Sequence, residues 1–442
     1  MSTKVATAAA VTRSLAVERP ASGGDRPAIT KTAVAAAVAG NALEFYDFVV
    51  YAFFAVYIGK AFFPVGNEAA DLLASVAVFG VGFFTRPLGG VLIGAFADKA
   101  GRKPAMLLTV ALITIGTLGL AATPSYASIG MAAPIIVLAC RLLQGLAIGG
   151  EVGPSTSLLV EGAPSHKRGL YASWQTASQG IAVLLGGLCG VLVSANLTET
   201  QLADWGWRVP FLVSLILIPI AIYMRRKLPE TLEAETGKKG TEIVATVVFK
   251  YRRYLILGVL LLLAGAVSTQ VGNYMTTYAI HTLQLPATLA QTGTLVGGLM
   301  TFIFALAAGS LSDRYGRKTV MIWPRITLTV LIIPLFALLD SSPNAATLFF
   351  VTGTITLLTA MSSAAGISII PELMPIAIRS TGTSLVYAIG TTVFGGSAQF
   401  IITWLLGVVG PLAPAYYVVV AGVVTLWALW MLPETRDVDV TK

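Results

Sequence analysis

The sequence predicts an all-α membrane protein, with twelve transmembrane helices arranged as two pseudo-symmetric six-helix halves. Three observations carry this expectation. Charged residues make up only 11% of the chain and hydrophobic ones 56%, whereas soluble domains carry about 25% charged residues. Apolar runs long enough to cross a bilayer, about 20 residues, recur from end to end. Three short motifs also occur twice, at nearly constant separation.

The runs fall at 33–58, 70–97, 104–123, 130–160, 169–195, 208–224, 254–281, 290–311, 319–339, 346–371, 380–407 and 412–432. Residues 1–32 are polar and rich in Ala and Thr, the composition of a disordered tail. They lack an apolar core before a small-residue cleavage site, so the first span is expected to serve as the insertion signal. Spans one to six form a half at 33–224, a basic polar linker follows at 225–253, and the second half occupies 254–432 before a tail at 433–442. With both termini on one side, 24 of the 29 Lys and Arg residues fall on that side. This is the positive-inside pattern, which predicts a multi-pass protein of the cytoplasmic (inner) membrane with both termini in the cytoplasm. The net charge of +8 is thereby read as topology, and no nucleic-acid partner is expected. Cys140 and Cys189 both lie in apolar spans, so no disulfide framework is implied. Trp205, Trp207 and Arg208 are expected at the external interface.

The duplication is specific. "GAFADKAGRK" (94–103) returns as "GSLSDRYGRK" (309–318), 215 residues on. "EGAPSHKRG" (161–169) returns as "ELMPIAIRS" (372–380), and "LPET" (228–231) returns at 432–435. Each copy follows the second, fourth or sixth span of its half. Parallel repeats of this kind suit alternating access around a midplane site.

Twelve spans with Gly-x3-Asp-Lys/Arg-x-Gly-Arg-Lys in both the 2–3 and 8–9 loops resemble the major facilitator superfamily. Within the motif, Gly94 and Gly309 permit close helix approach, and Gly101 and Gly316 suit tight turns. Asp98 and Asp313 need cationic partners near the interface, and Arg102 and Arg317 stand in the same motif. With Arg168, Glu372 and Arg379 from the second repeated motif, these residues are read as a latch at the cytoplasmic face; plain topology signalling by basic loops is the alternative. A narrower resemblance spans most of the chain. "GNALEFYDFVVYAFFAVYIGKAFFP", "FFTRPLGG", "RLLQGLAIGGEVG", "SWQTASQG" and "WGWRVPF" are similar to the metabolite–proton symporters, which include permeases for citrate, α-ketoglutarate, shikimate and proline or betaine. The resemblance implies proton-driven uptake of a small polar metabolite. Two departures stand out. Span four reads Glu151-Val-Gly-Pro, so Pro154 bends it differently. The chain also stops ten residues after the last span, without the coiled-coil tail of osmosensing members.

Charges at membrane depth identify the candidate site, because they persist only when paired or water-lined. Glu44 should lie roughly 16 Å inside the bilayer and Asp47 roughly 21 Å, at ~1.5 Å per residue. Arg141, entering from the other side, should lie roughly 14 Å down. Glu44 and Arg141 thus reach one level and are expected to share a cavity. Asn41 shares the Glu44 stripe, Gln144 lies one turn from Arg141, and Trp174, Gln175 and Gln179 present a polar face on span five. Asn273 and Tyr274 do so on span seven, and Tyr387 on span eleven. Arg141 offers a planar fork suited to a substrate carboxylate. Glu44 or Asp47 would carry the coupling proton, with Asp47 the first candidate because it has no obvious cation. A permanent Glu44–Arg141 structural pair is the alternative. Arg86 either contacts substrate or pairs near the inner face, and Glu151 is read as a gate against the basic loops.

The expectation is therefore a proton-coupled transporter of a small carboxylate, with citrate or another di- or tricarboxylate favoured. Uptake of proline, betaine or a shikimate-like acid, or uncoupled uniport, are the alternatives. No nucleotide-binding loop or metal-ligand spacing is present in the sequence, so neither enzyme activity, a metal nor a cofactor beyond the coupling ion is expected; Na+ could replace H+. The partners expected are the substrate and the bilayer, with the chain a monomer.

Overall fold

A computed structural model describes residues 31–226 and 246–436, apart from 65, 101, 150–154, 157–158, 161 and 376–378. Side chains are described for these except 31–33, 94–106, 165, 217, 220–221, 223–226, 246 and 379–381. The described residues are helical nearly throughout, as expected where backbone amides must be satisfied within their own segment. Six helices come first: α1 (Lys31–Phe53, continued by Ala55–Phe62), α2 (Glu68–Phe84 and Arg86–Ala100), α3 (Arg102–Ala122), α4 (Ala132–Gly149), α5 (Arg168–Asn196) and α6 (Val209–Arg226). Then come α7 (Arg252–Thr277), α8 (Ala287–Tyr315), α9 (Arg317–Ser341), α10 (Ala345–Gly366), α11 (Arg379–Gly390 and Gly396–Val409) and α12 (Ala413–Met431). Among the described residues, ten spans are long and apolar enough to cross a membrane, and the α3 and α6 regions contribute the shorter apolar stretches Leu107–Ala122 and Gly206–Ile216. The protein is a multi-pass membrane protein.

Breaks in the helices have local causes. α2 is interrupted at Thr85, before Arg86-Pro87, where proline has no amide to continue the ladder. The Thr85 hydroxyl lies within bonding distance of the Gly82 carbonyl (3.2 Å) and of Leu142 O on α4 (3.0 Å). α7 ends in a π turn at Tyr278–Thr282 and α11 is interrupted by another at Thr391–Gly395; such turns gather at functional places.

Contacts between the first six helices and the last six run along three seams. α5 and α8 meet over their whole length through small residues. A Cβ on Gly180 would lie 2.6 Å from Phe302 N, and one on Gly298 2.6 Å from Leu184 N. α2 and α11 cross where Gly80 faces Gly396, and the Thr392 hydroxyl donates to Phe83 O at 2.8 Å. At the end opposite the basic face that carries Arg314 and Lys318, α1 reaches α7 and α8. There Thr277 donates to Ala52 O (3.3 Å) and Gln291 to Phe53 O (3.4 Å). That end is sealed.

One interfacial expectation is corrected. Trp207 is wholly buried, edge-on to Phe62 at 5.3 Å and beneath Arg208 at 4.2 Å. It is a packing residue because the Gly206–Arg208 turn folds it inward, while Trp205 stays exposed.

The α5–α8 seam has no room for a side chain at Gly180. Gly180→Leu is expected to cost about 1–3 kcal/mol through overpacking, seen as a lower thermal midpoint in detergent; an unchanged midpoint would contradict this close approach.

Candidate functional site: a central cavity flanked by two buried charge networks

Between the six-helix groups lies a cavity of ≈ 1340 Å³ of empty space, part of it open to solvent. From the first group, Phe45, Phe48, Phe83, Arg86 and Gln179 line it. From the second group come Gln270, Asn273, Arg325, Tyr387 and a run of hydroxyls on α10. Its mixture of apolar walls and few convergent polar groups is that of a small-molecule site.

Arg86 is buried on this wall. Its guanidinium sits 3.9 Å from the Phe83 ring centroid and 4.9 Å from that of Phe48, a cation–π setting that holds the charge without neutralising it. Glu44, Arg141 and Tyr387 are its electrostatic neighbours, and Gln179 bonds to Tyr387 across the two groups of helices. Of the sequence candidates, Arg86, Gln179, Asn273 and Tyr387 therefore converge on one space.

Arg141 does not join them. It is buried over the rings of Tyr51 (4.6 Å), Phe79 (5.2 Å) and Phe48 (5.4 Å), outside the cavity lining. Its Nη1 donates to Gln144 Oε1 at 2.7 Å, Gln144 Nε2 donates to the Thr117 hydroxyl at 2.9 Å, and that hydroxyl donates to Asp47 Oδ2. The acid beside Arg141 is thus Asp47, with Ser214 close by, so the expectation that Asp47 has no cation is corrected. The expected Glu44–Arg141 pairing is not formed, and the physical reason is side-chain direction. Helical side chains lean toward the N-terminus of their own helix. α1 and α4 run antiparallel, so Arg141 leans toward Asp47 and Tyr51 while Glu44 leans the other way, toward Arg86.

The remaining polar candidates tie helices together. Asn41 donates to Gln175 O (3.2 Å) and Ser178 Oγ (2.5 Å) and accepts from Gln175 Nε2 (3.0 Å), a knot joining α1 to α5. Tyr274 accepts from Thr403 at 2.9 Å, and Trp174 packs beside Phe302. Asn41, Gln175, Tyr274, Trp174, Glu44 and Asp47 all lie outside the cavity lining.

A second network occupies the basic face. Asp313, near the end of α8, accepts from the first amides of α5, Gly169 N at 2.8 Å and Leu170 N at 2.9 Å. A carboxylate there satisfies orphan donors and faces the positive end of the helix. Gly309 permits this, since a Cβ on it would lie 2.7 Å from Gly169 O. Arg317 Nη1 binds Asp313 at 2.8 Å and Nη2 binds Glu372 at 3.0 Å, with both Arg317 and Glu372 buried. Glu372 also accepts from Thr435 (2.6 Å) and lies in the field of Arg168. Gly316 adopts φ +97°, the left-handed region expected of it. Glu434 accepts from the Arg317 and Lys318 amides at 2.8 and 3.0 Å, closing the start of α9. Gly94, Asp98, Gly101, Arg102, Glu151 and Arg379, the other latch candidates, lie outside the residues whose side chains are described.

Sequence reasoning missed Thr117, Ser214, Arg325, Glu434 and Thr435 as site or network residues. The doubled "LPET" was a visible signal for the last two. The α10 hydroxyls at 352, 356, 359 and 363 also show helical spacing.

The family model described as "Sugar (and other) transporter" matches residues 32–248 and again 232–442. A citrate-proton symporter of Salmonella typhi is 35% identical over 408 residues, covering 90% of this chain and 93% of the relative. A proline/betaine transporter of Escherichia coli is 33% identical over 427 residues, covering 92% and 84%. Among solved structures, that of a D-xylose-proton symporter superposes with a TM-score of 0.76 at 18% identity, covering 92% of this chain and 99% of the other; this likeness concerns the fold.

Removing one partner of a buried pair costs about 3–5 kcal/mol. Arg317→Gln is expected to lose stability on that scale, and adding Glu372→Gln should recover part of it. Unfolding of both single variants and the double variant in detergent checks this; strictly additive losses would contradict the pair.

Proposed function

The chain belongs to the sugar (and other) transporter family, and on that footing we propose that it imports a small carboxylate, a di- or tricarboxylate such as citrate, by proton symport. It is a membrane transporter and not an enzyme. The observation that carries the substrate reading is the cavity wall: its charged residues, Arg86 and Arg325, are both cations, and no carboxylate lines it among the described residues. An anion entering this space meets two arginines suited to carboxylate oxygens. The citrate–proton symport named for a relative of 35% identity agrees with this.

Proton coupling is assigned to Asp47, with Glu44 the second acid. Asp47 lies just behind the cavity, joined to Arg141 through Thr117 and Gln144. A hydroxyl both donates and accepts, so Thr117 can hold Asp47 in either protonation state. When Asp47 takes up a proton, Arg141 loses its nearest counter-charge, which links proton uptake to helix positions in α1 and α4. Arg86 contacts substrate, with Gln179, Asn273 and Tyr387 as further polar contacts. Alternating access then moves the half at 33–224 against the half at 254–432 about the α5–α8 and α2–α11 seams. The Asp313–Arg317–Glu372 network is its latch on the basic face, assigned to the cytoplasm of a cell with the chain in its inner membrane. One chain holds the whole site, which fits a monomer.

Osmolyte uptake is the rival reading, given the proline/betaine relative. A quaternary ammonium needs open aromatic faces. On the wall, Phe48 and Phe83 already face Arg86 and Tyr387 lies in its field, which leaves Phe45, while Tyr46, Tyr51, Trp174 and Tyr274 lie off it. The wall therefore favours an anion.

In proteoliposomes, citrate counterflow is expected from the unaltered protein, with betaine competing weakly. Asp47→Asn should retain counterflow yet lose accumulation driven by a pH gradient, about tenfold or more for loss of a coupling acid. Accumulation that survives Asp47→Asn, or competition by betaine but not citrate, would overturn the respective assignment.

A further inference from the structure

Arg325 has no role in either charge network. It is 0% exposed, the ninth residue of α9, and among the described residues no acid lies within ion-pair distance of it. Its Nε donates to Ser362 Oγ at 3.2 Å, and its Nη1 to Ala264 O at 3.2 Å and Ser268 Oγ at 3.1 Å. These neutral acceptors fix the plane of the fork and leave Nη2 without a hydrogen-bond partner. A buried ion lacking a counter-charge is destabilising by several kcal/mol, so a chain that retains one needs a compensating use for it.

The wall beside it carries a second set of unmet polar atoms. Thr352, Thr356, Thr359 and Ser363 recur at intervals of four, three and four, one stripe of α10, and all four line the cavity. Thr356 bonds to its own helix. The hydroxyls of Thr352, Thr359 and Ser363 make no hydrogen bond among the described residues. Buried hydroxyls are ordinarily satisfied; an anion would supply hydrogen-bond acceptors to the three unsatisfied hydroxyls and negative charge to the arginine on the same wall.

We propose that Arg325, with the hydroxyls of Thr359 and Ser363, forms a second anion subsite, which takes one carboxylate of a substrate whose other carboxylate meets Arg86. The subsite rests on the carboxylate-uptake reading and sharpens it. Arg86 comes from the first group of helices and Arg325 from the second, so a substrate with two carboxylates bridges the moving parts, while a monocarboxylate engages one of them. Selectivity for di- and tricarboxylates then follows from bridging, and so does closure of the cavity around them.

The test titrates purified full-length protein in detergent with citrate and with 2-hydroxyisobutyrate, a monocarboxylate of similar local chemistry, reading half-maximal thermal stabilisation. Unaltered protein is expected to prefer citrate. Arg325→Gln should weaken citrate about tenfold or more, the scale of one lost charge-assisted contact, and shift 2-hydroxyisobutyrate less than about twofold, within the scatter such contacts show. The paired change Thr359→Val with Ser363→Ala, which leaves every arginine in place, should act in the same direction and carries the test if Arg325→Gln does not fold. Equal weakening of both ligands, or an unchanged citrate titration in the paired variant, overturns the subsite alone. Absence of stabilisation by any carboxylate in the unaltered protein overturns the uptake reading, and the subsite falls with it.

Discussion

Water is absent from most of this molecule's surroundings, so each charge carried into the helix bundle has to find its partner inside the bundle. That constraint orders the structure. Where the partner is permanent, as for Asp313, Arg317 and Glu372, the charges join α5, α8, α9 and the short Ile369–Leu373 helix after α10 into one connected end. Where it is indirect, as along Arg141, Gln144, Thr117 and Asp47, polar side chains carry the interaction between helices. Where no acid among the described residues pairs with the charge, as at Arg325, the arginine lines a cavity wall. A soluble protein would hide these differences under hydration.

The glycines serve the same end. Close approach of α5 to α8 at Gly169, Gly180, Gly298 and Gly309 brings backbone amides within reach of Asp313 and excludes lipid from the seam. Without a hydrophobic drive between helices in a bilayer, such contact surfaces supply the cohesion. The cavity lies between the two groups of helices, bounded by these seams. Packing and polarity are thus divided spatially, with tight glycine seams at the sides and polar walls at the centre.

How much of this could be read beforehand depends on the range of the interactions. Helices α1–α12 announce themselves because apolar length is a local property, and the motif holding Asp313, Gly316 and Arg317 is visible because it lies within a few residues and occurs twice. Its bonds to Gly169, Leu170 and Glu372 join distant parts of the chain and were not read. Arg86, Gln179, Asn273 and Tyr387 were found as polar groups at depth and do converge. The pairing of Arg141 was misjudged because counting residues gives the level of Cα atoms, whereas a guanidinium ends several ångströms along its helix. In antiparallel neighbours these offsets add. Thr117 and the α10 hydroxyls escaped because threonine in a membrane helix commonly bonds its own backbone, as Thr356 does here. Only the three-dimensional arrangement separates those that do from those that do not.

The segment after α12 has a practical side. Glu434 completes the start of α9 through the Arg317 and Lys318 amides, Lys318 Nζ returns a bond to Leu432 O at 2.6 Å, and Thr435 donates to Glu372. Four residues that look like an expendable trailer are in effect a buckle, fastening the last helix of the chain to the loop between α8 and α9. A tag, fluorescent fusion or protease site placed directly after Met431 would unfasten it, whereas one placed beyond Arg436 leaves it closed. For this fold, the choice of fusion junction is therefore a choice about conformational equilibrium.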